Sequence, residues 1–204
     1  MADISEFHSI IDSATNELRR NLTAIDTSVI STLMDQICEA GKIGFFGVGR
    51  EGLAMNGFAM RCFHMGLNAF VVGDMTATAV GVGDLLIVSA GPGFFSTVAA
   101  LCGEAQRHGC RTLLLTSQPP SPLQDFADIV IQIPATCLPP AGLINGDVRH
   151  LNRTGSADGR CSRLLMGSSY ELALQLFFDA VAILLQQKLN VDDARLKATH
   201  TNLE

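Results

Sequence analysis

Apolar residues in the first forty positions recur at the spacing of a helix. In residues 4–22 an apolar residue returns every three or four positions, which is typical of an amphipathic α-helix. This apolar face consists of Ile4, Phe7, Ile10, Ile11, Ala14 and Leu18. Asp26 or Thr27 can cap a second helix that runs to about Ala40, where Gly41 would end it. Two helices are therefore predicted before the first strand.

From residue 42 onwards, short apolar runs alternate with helical stretches. Strands are predicted at 43–48, 69–72, 84–89, 112–116 and 129–133. Helices are predicted at 53–65, at 95–108 and, as a short segment, near 123–127. An almost continuous apolar run, as at 84–89, suits a parallel strand that is covered on both faces. The alternation predicts an α/β fold with a three-layer, doubly wound, five-stranded parallel sheet of flavodoxin-like type, which binds ligands at the carboxyl ends of its strands.

The pattern breaks at residues 134–165, which are rich in Pro, Gly, Asn, Ser and Arg. Segments of this length without secondary structure are usually functional or disordered, and we interpret this one as an inserted loop. A long helix with a broad apolar face is predicted at 166–189, followed by a short polar helix or tail. We predict one domain over residues 1–204, with N-terminal helices at 1–41, a sheet core at 42–133, the inserted loop, and C-terminal helices at 166–204.

Composition limits the possible partners and the compartment. Hydrophobic residues make up 48% of the chain and charged residues only 17%, so we expect much surface to be buried against other copies in a homo-oligomer. A net charge of −6 disfavours nucleic-acid binding, which needs clustered Lys and Arg. The six cysteines form no C-x-x-C pair and are interpreted as reduced, mostly buried thiols. No secretory signal is visible and the apolar runs look too short to span a bilayer, so we predict a cytoplasmic protein without membrane contact.

The candidate chemistry begins at a glycine-rich turn after the first predicted strand, Gly47-Val48-Gly49-Arg50-Glu51-Gly52. The helix after this turn directs unpaired N–H groups and a positive dipole end towards it, which favours an anion, most often a phosphate. A second turn, Gly91-Pro92-Gly93, opens the helix at 95. The first turn also satisfies G-x-G-x-x-G, and Asp74 lies 22 residues beyond Gly52, as in dinucleotide-binding sites. A phosphate ligand and NAD(P) are both compatible with this pattern.

Longer motifs extend the first turn. The segments Gly47-x-Gly49-Arg50 and Phe58-Ala59-Met60-Arg61-Cys62-Phe63-His64-Met65-Gly66 together resemble the first motif of the sugar isomerase (SIS) domain family. The resemblance continues through Val71-Val72-Gly73-Asp74, Gly83-Asp84-Leu85-Leu86-Ile87 and Thr116-Ser117-x-Pro119. Two C-terminal motifs are similar to those of the 6-phospho-3-hexuloisomerases within that family: Met166-Gly167-Ser168-Ser169-Tyr170-Glu171 and His200-Thr201-Asn202-Leu203-Glu204. The resemblance covers nearly the whole chain apart from about 134–163.

The resemblance implies a phosphosugar isomerase of SIS-type fold. Such an enzyme moves a carbonyl between C3 and C2 and interconverts a 3-hexulose 6-phosphate and fructose 6-phosphate through an enediolate. The resemblance implies that Glu171 is the base that removes a proton beside the carbonyl and that His200 is its partner. It also implies a homotetramer with active sites shared between subunits. We expect neither a metal nor a cofactor.

The same resemblance implies that the sugar phosphate binds at the two glycine turns. The expected substrate-binding residues are Gly47, Gly49, Arg50, Ser89, Gly91, Gly93, Ser96, Thr97 and Ser117. The family's loop after strand three usually reads Ser-Gly-Ser-Gly-Glu-Thr, whereas this chain has Ala90-Gly91-Pro92-Gly93-Phe94-Phe95, in which Pro92 also removes an N–H donor. Glu51 stands where a serine is expected after Arg50. We interpret these differences as a divergent phosphate-binding loop, with arginines of the inserted loop above it: Arg149, Arg153, Arg160 and Arg163.

Three functions follow from these observations, and we rank them in this order. The first is an isomerase of hexuloisomerase type, favoured by Glu171 and His200. The second is a non-catalytic module that binds a phosphosugar for regulation, favoured by the altered loop after strand three. The third is an NAD(P)-dependent enzyme of Rossmann type, favoured by the G-x-G-x-x-G pattern and Asp74.

Overall fold

A computed structural model describes residues 3–135 and 162–203 of the chain. The strands are β1 (Ile43–Gly47), β2 (Ala69–Val71), β3 (Leu85–Ser89), β4 (Arg111–Thr116) and β5 (Ile129–Gln132). The α-helices are α1 (Phe7–Thr23), α2 (Thr27–Glu39), α3 (Gly49–His64), α4 (Ser96–Arg107), α5 (Ser168–Lys188) and α6 (Asp193–Thr199). Short 3₁₀ helices lie at Ile4–Glu6 and Pro122–Phe126. Most of the predicted inserted loop, including Arg149, Arg153 and Arg160, lies outside the described residues.

The five strands form one parallel sheet in the order β2-β1-β3-β4-β5. Phe45 in the middle of β1 pairs with Val71 of β2 on one side and with Ile87 of β3 on the other. The chain runs outward from β1 to β2 and then returns to β3 beside β1, so the strand order reverses between β1 and β3. The predicted doubly wound α/β fold is confirmed. In such sheets ligands bind at the carboxyl ends of the strands beside this reversal, which here means next to Gly47 and Ser89.

Successive side chains of a strand point to opposite faces, so the sheet separates two apolar cores. On β3, Leu85 and Ile87 lie in a core shared with α3 and α5, whereas Leu86 and Val88 lie in a core shared with α4. In the first core the rings of Phe58 on α3 and Phe178 on α5 stack with their centroids 4.3 Å apart. Stacking of two buried aromatic rings stabilises the side-by-side packing of these two helices.

Helix α5 corrects one expectation from the sequence. Its 21 residues are long and apolar enough to cross a membrane by length and composition alone, although the apolar runs looked too short for this. However, half of its most apolar stretch is buried inside the protein, where α5 packs mainly against α3 and α1. The contacts of α5 are therefore those of a core helix.

The N-terminal helix α1 is attached to the start of α5 by a buried acid. Glu17 accepts a hydrogen bond of 2.7 Å from the Ser162 hydroxyl and another from the Ser169 hydroxyl. Arg163 pairs with Glu6 and donates to the Ser9 hydroxyl at 3.0 Å. Arg163 is thus engaged by the N-terminal helical segment, not by the glycine turns.

The described cysteines are free thiols and agree with the predicted reduced state. Cys62, Cys102 and Cys110 are buried, and Cys38 is half-buried. Burial raises the pKa of Cys62 to about 12 and that of Cys102 to about 11, so both stay protonated and unreactive at neutral pH.

Helix α3 begins at Gly49, four residues before its predicted start at 53, because the glycine turn is itself the first turn of the helix. Gly49 has a φ of +60°, a left-handed conformation that glycine adopts at little cost. A Cβ atom on Gly52 would lie only 2.6 Å from the carbonyl oxygen of Gly47. This close approach seats the start of α3 directly on the end of β1 and places Arg50 and Glu51 at the carboxyl edge of the sheet.

Replacing Gly52 with alanine tests the close approach. We expect Gly52→Ala to lower the free energy of unfolding by about 1–3 kcal/mol, because the added methyl group collides with the backbone of Gly47. Urea unfolding would measure the change. In the control Gly57→Ala, the nearest atom to the new methyl group is 3.7 Å away, and this helix-interior change should be neutral or stabilising by up to about 1 kcal/mol. Equal stability of Gly52→Ala and the wild type would contradict the described turn.

Candidate active site

The first turns of α3 and α5 meet above the carboxyl edge of the sheet. The Nε atom of Arg50 on α3 lies 3.0 Å from Oε2 of Glu171 on α5, and Nη1 of Arg50 donates a 3.1 Å hydrogen bond to the Ser168 hydroxyl. The Arg50 side chain is 60% exposed, whereas that of Glu171 is only 18% exposed. The pair therefore has one partner that faces solvent and one that is held at the edge of the core.

The environment of Glu171 favours its protonated form more than solvent would. Burial raises the pKa of this carboxyl, and the nearby positive charge of Arg50 opposes the rise. The Oε2 atom is buried and accepts no aligned hydrogen bond from a described group, although Arg50 faces it at ion-pair distance. A partly buried carboxylate with an unsatisfied oxygen and a raised pKa has the properties of a general base.

A second carboxylate, Glu51, lies deeper in the same site. Its Oε2 atom accepts hydrogen bonds from the Ser89 hydroxyl at 2.6 Å and from the Gly91 N–H at 3.0 Å. The Ser89 and Tyr170 hydroxyl oxygens lie 3.0 Å apart, which adds α5 to the network. Glu51 is only 5% exposed, and burial raises the pKa of this group against the opposing effect of its two hydrogen bonds.

The loop after β3 is held by the segment after β4. The Ser117 hydroxyl donates to the carbonyl oxygen of Gly91 at 2.8 Å, and the Ser121 hydroxyl donates to that of Gly93 at 2.6 Å. Gly93 has a φ of +94°, which favours glycine there. The Ser117 hydroxyl proton is therefore used in a hydrogen bond inside the protein. Ser96 and Thr97, by contrast, are exposed first-turn residues of α4.

His200 lies at the other end of α3. Its ring packs on His64, the last residue of α3, with the ring centroids 5.3 Å apart. The 14 residues from Arg50 to His64 span about 21 Å of helix. Within one chain, Glu171 and His200 are therefore far apart, and the structure does not bring this predicted pair together. His200 instead borders a cavity of about 660 Å³ between the end of α3, α5 and α6.

The structure thus places the predicted residues in two regions. Most of them lie on strand ends, loops and first helical turns at the carboxyl edge of the sheet: Gly47, Gly49, Arg50, Ser89, Gly91, Gly93, Ser96, Thr97, Ser117 and Glu171. His200 lies away from them. Sequence reasoning missed the contacts of Glu51 with Ser89 and of Ser168 with Arg50. One signal for the first contact was a carboxylate at the position where the family has a serine. Among the described residues, no group of three or more His, Cys, Asp or Glu side chains is placed to hold a metal ion.

No family model matches the chain, but named relatives do. The 3-hexulose-6-phosphate isomerase of Bacillus subtilis (strain 168) is 32% identical over 190 residues, which are 93% of this chain and 94% of the relative. That of Mycobacterium gastri is 32% identical over 189 residues, covering 93% of this chain and 87% of the relative. A solved structure from Methanococcus jannaschii, for which a molecular function of 3-hexulose-6-phosphate isomerase was inferred, superposes with a TM-score of 0.74 at 24% identity, covering 95% and 98% of the two chains.

The fold is that of a doubly wound α/β protein with its candidate site at the carboxyl edge of the sheet, and the solved structure from Methanococcus jannaschii shares this fold. The identity and coverage go further, and the chain belongs to the 3-hexulose-6-phosphate isomerase family. These relatives give no support to the NAD(P)-dependent alternative, and close packing and left-handed backbone account for the three glycines of G-x-G-x-x-G.

Replacing Arg50 tests the electrostatics of the Glu171 site. Because the Arg50 charge favours the ionised carboxylate, we expect Arg50→Gln to raise the pKa of Glu171 further. The measurement is a carboxyl carbon NMR titration of Glu171 in both proteins. Arg61→Gln, which changes an arginine near the far end of α3, is the matched control and should leave this pKa unchanged. An unchanged or lower pKa in Arg50→Gln would contradict the ion pair.

Proposed function

We propose that this chain is an isomerase that interconverts a 3-hexulose 6-phosphate and fructose 6-phosphate. The observation that carries the proposal is Glu171, a partly buried carboxylate with a raised pKa and an oxygen without an aligned hydrogen bond, in a chain of this family. The two sugars differ only in the position of a carbonyl between C3 and C2. The reaction therefore needs a proton acceptor, a proton donor and stabilisation of one negative charge.

Glu171 is the proposed proton acceptor. In the forward direction it takes the proton from C2 of the 3-ketose, and the electrons of the C–H bond form the C2–C3 double bond of an enediolate. A proton then moves from the C2 hydroxyl to the C3 oxygen, and return of the first proton to C3, with the carbonyl now at C2, gives fructose 6-phosphate. A carboxylate whose pKa is raised by burial is a stronger base than a solvated one, and in its protonated form it can return the proton.

Arg50 is the proposed charge-stabilising group. Its guanidinium lies beside Glu171 and is largely exposed, so it can donate hydrogen bonds to a sugar oxygen without leaving the carboxylate. Negative charge develops on the substrate oxygen as the proton leaves carbon. A fixed positive charge beside that oxygen lowers the energy of the enediolate relative to the ketose.

His200 of a second copy of the chain is the proposed partner of Glu171, because within one chain the two residues lie at opposite ends of α3. The outer faces of α3 and α5 carry large apolar side chains that are exposed in one chain: Leu53, Met60, Phe63, Leu172, Leu176 and Ile183. Burial of such a surface favours association, and symmetric oligomers are the usual result. We propose a homotetramer in the cytoplasm, with each site completed by a neighbouring copy.

A second candidate is a non-catalytic module that binds a phosphosugar. It is favoured by the loop after β3, where Glu51 already occupies the Ser89 and Gly91 donors. We rank this candidate second because Glu171, the proposed base, lies beside Arg50, the proposed charge-stabilising group. Turnover by the purified chain would exclude it.

The first test is turnover of D-arabino-3-hexulose 6-phosphate, coupled to detection of fructose 6-phosphate. We expect the wild type to be active and Glu171→Gln to lose at least about a hundredfold in kcat, because the amide cannot accept the proton. Glu104→Gln, which changes an exposed acid on α4, is the control and should keep activity within a few fold.

The pH dependence gives a second readout of the same assignment. The ionised form of Glu171 is the active base, so kcat/KM should fall as the pH drops below the pKa of this group. Because burial raises that pKa, the fall should begin at a higher pH than for an ordinary glutamate. An active Glu171→Gln protein with an unchanged acid limb would remove Glu171 from this role.

Subunit complementation tests whether sites are shared. Glu171→Gln and His200→Gln should each be inactive alone. When they are co-expressed with different affinity tags and purified as mixed oligomers, random pairing should restore about a quarter of wild-type activity, because one site in four receives an intact Glu171 and an intact His200. No recovery in verified mixed oligomers would contradict a site built from two copies.

A further inference from the structure

The donors at the end of β3 are already occupied by an internal anion. The Ser89 hydroxyl and the Gly91 N–H lie at the strand-order reversal, where an anionic group of a ligand would meet them first. Both instead donate to the same oxygen of Glu51. Hydrogen bonds to an ionised acceptor are about twice as strong as neutral ones, so these donors are not readily available to a ligand.

The space around these donors is filled as well. A Cβ atom added to Gly91 would lie 2.5 Å from Cδ1 of Tyr170 and 2.9 Å from Oε1 of Glu51. A methyl group therefore does not fit between the loop, α5 and the carboxylate. A phosphate group is larger than a methyl group, so it cannot reach the Gly91 N–H unless the Glu51 side chain moves away.

The charges around Glu51 oppose a second anion. Tyr170 and Glu171 on α5 and Ser89 on β3 lie around the Glu51 carboxylate. The arginine next to Glu51 on α3, Arg50, pairs with Glu171. The negative charge of Glu171 adds to the effect of burial in raising the pKa of Glu51. Among the described residues, no Lys, Arg or His forms an ion pair with Glu51. A dianion placed here would therefore meet an uncompensated carboxylate.

We propose that Glu51 is a specificity-determining residue, an internal anion that occupies the Ser89 and Gly91 donors and excludes a dianionic group from them. The phosphate of the ligand is then held elsewhere in the site, and removal of Glu51 opens a second anion site at the loop after β3. The inference rests on the proposed function only in taking a phosphosugar as the ligand.

The test is sulfate binding, measured by isothermal titration calorimetry on the full chain. Sulfate stays dianionic across the pH range used, so its own charge does not change. We expect Glu51→Ser, which vacates the space and removes the charge, to bind sulfate at least about tenfold more tightly than the wild type. The double variant Glu51→Ser with Ser89→Ala should lose most of that gain. Glu104→Gln, a change on the exposed part of α4, should bind sulfate as the wild type does.

Equal or weaker sulfate binding by Glu51→Ser, or a gain that Ser89→Ala leaves intact, would overturn the proposal. Should Glu51→Ser fail to fold, Glu171→Gln provides a separate arm. In that protein Glu51 remains the site's titrating carboxylate. Sulfate binding should tighten as the pH is lowered, because burial raises the pKa of Glu51 and protonation then removes its negative charge. A binding constant that does not change with pH would count against an internal anion.

These measurements do not depend on turnover. If the wild type shows no isomerase activity but Glu51→Ser gains sulfate binding, the proposed function fails and this inference stands. If the wild type is an active isomerase and Glu51→Ser gains no sulfate binding, the proposed function stands and this inference fails.

Discussion

The contact between Gly47 and Gly52 is the constraint on which the site depends. Because neither residue has a side chain, the first turn of α3 lies directly on the last residue of β1. Arg50 and Glu51 are consecutive residues within that turn, so their side chains leave it in different directions. Arg50 reaches out to Glu171 and solvent, whereas Glu51 reaches in to Ser89 and Gly91. A looser turn would separate both carboxylates from their partners.

The two carboxylates of the site differ in what surrounds them, and this difference separates their roles. Glu171 has one cationic neighbour and an oxygen without an aligned hydrogen bond, which leaves it able to accept a proton. Glu51 has two strong donors and almost no exposure, which suits it to hold a loop. Burial raises the pKa of both groups, but the side chain of Glu171 is partly exposed, whereas Glu51 is almost completely buried.

The sequence predicted the sheet well because buried parallel strands leave a strong local signal. The predicted strands at 84–89 and 112–116 match β3 and β4 to within one residue at each end. The start of α3 was missed because a glycine-rich segment was interpreted as a loop, although close packing of Gly47 and Gly52 makes it helical. The Glu51 network could not be predicted, since Ser89 lies 38 residues away in the chain and Gly91 lies 40 away. The position of His200 depends on how α6 docks on α3, for which the sequence pattern has no local signal.

The attachment of α1 to α5 changes how the N-terminal helix should be regarded. Glu17 holds the hydroxyl of Ser169, which is two residues before Glu171, and also that of Ser162. The first helix therefore helps to fix the angle at which α5 leaves the loop, and with it the direction of the candidate base. In terms of protein engineering, α1 is not a spare extension that can be trimmed or replaced by a tag. It supports the start of the helix that carries the candidate base and also packs on the apolar core, so its loss would disturb both.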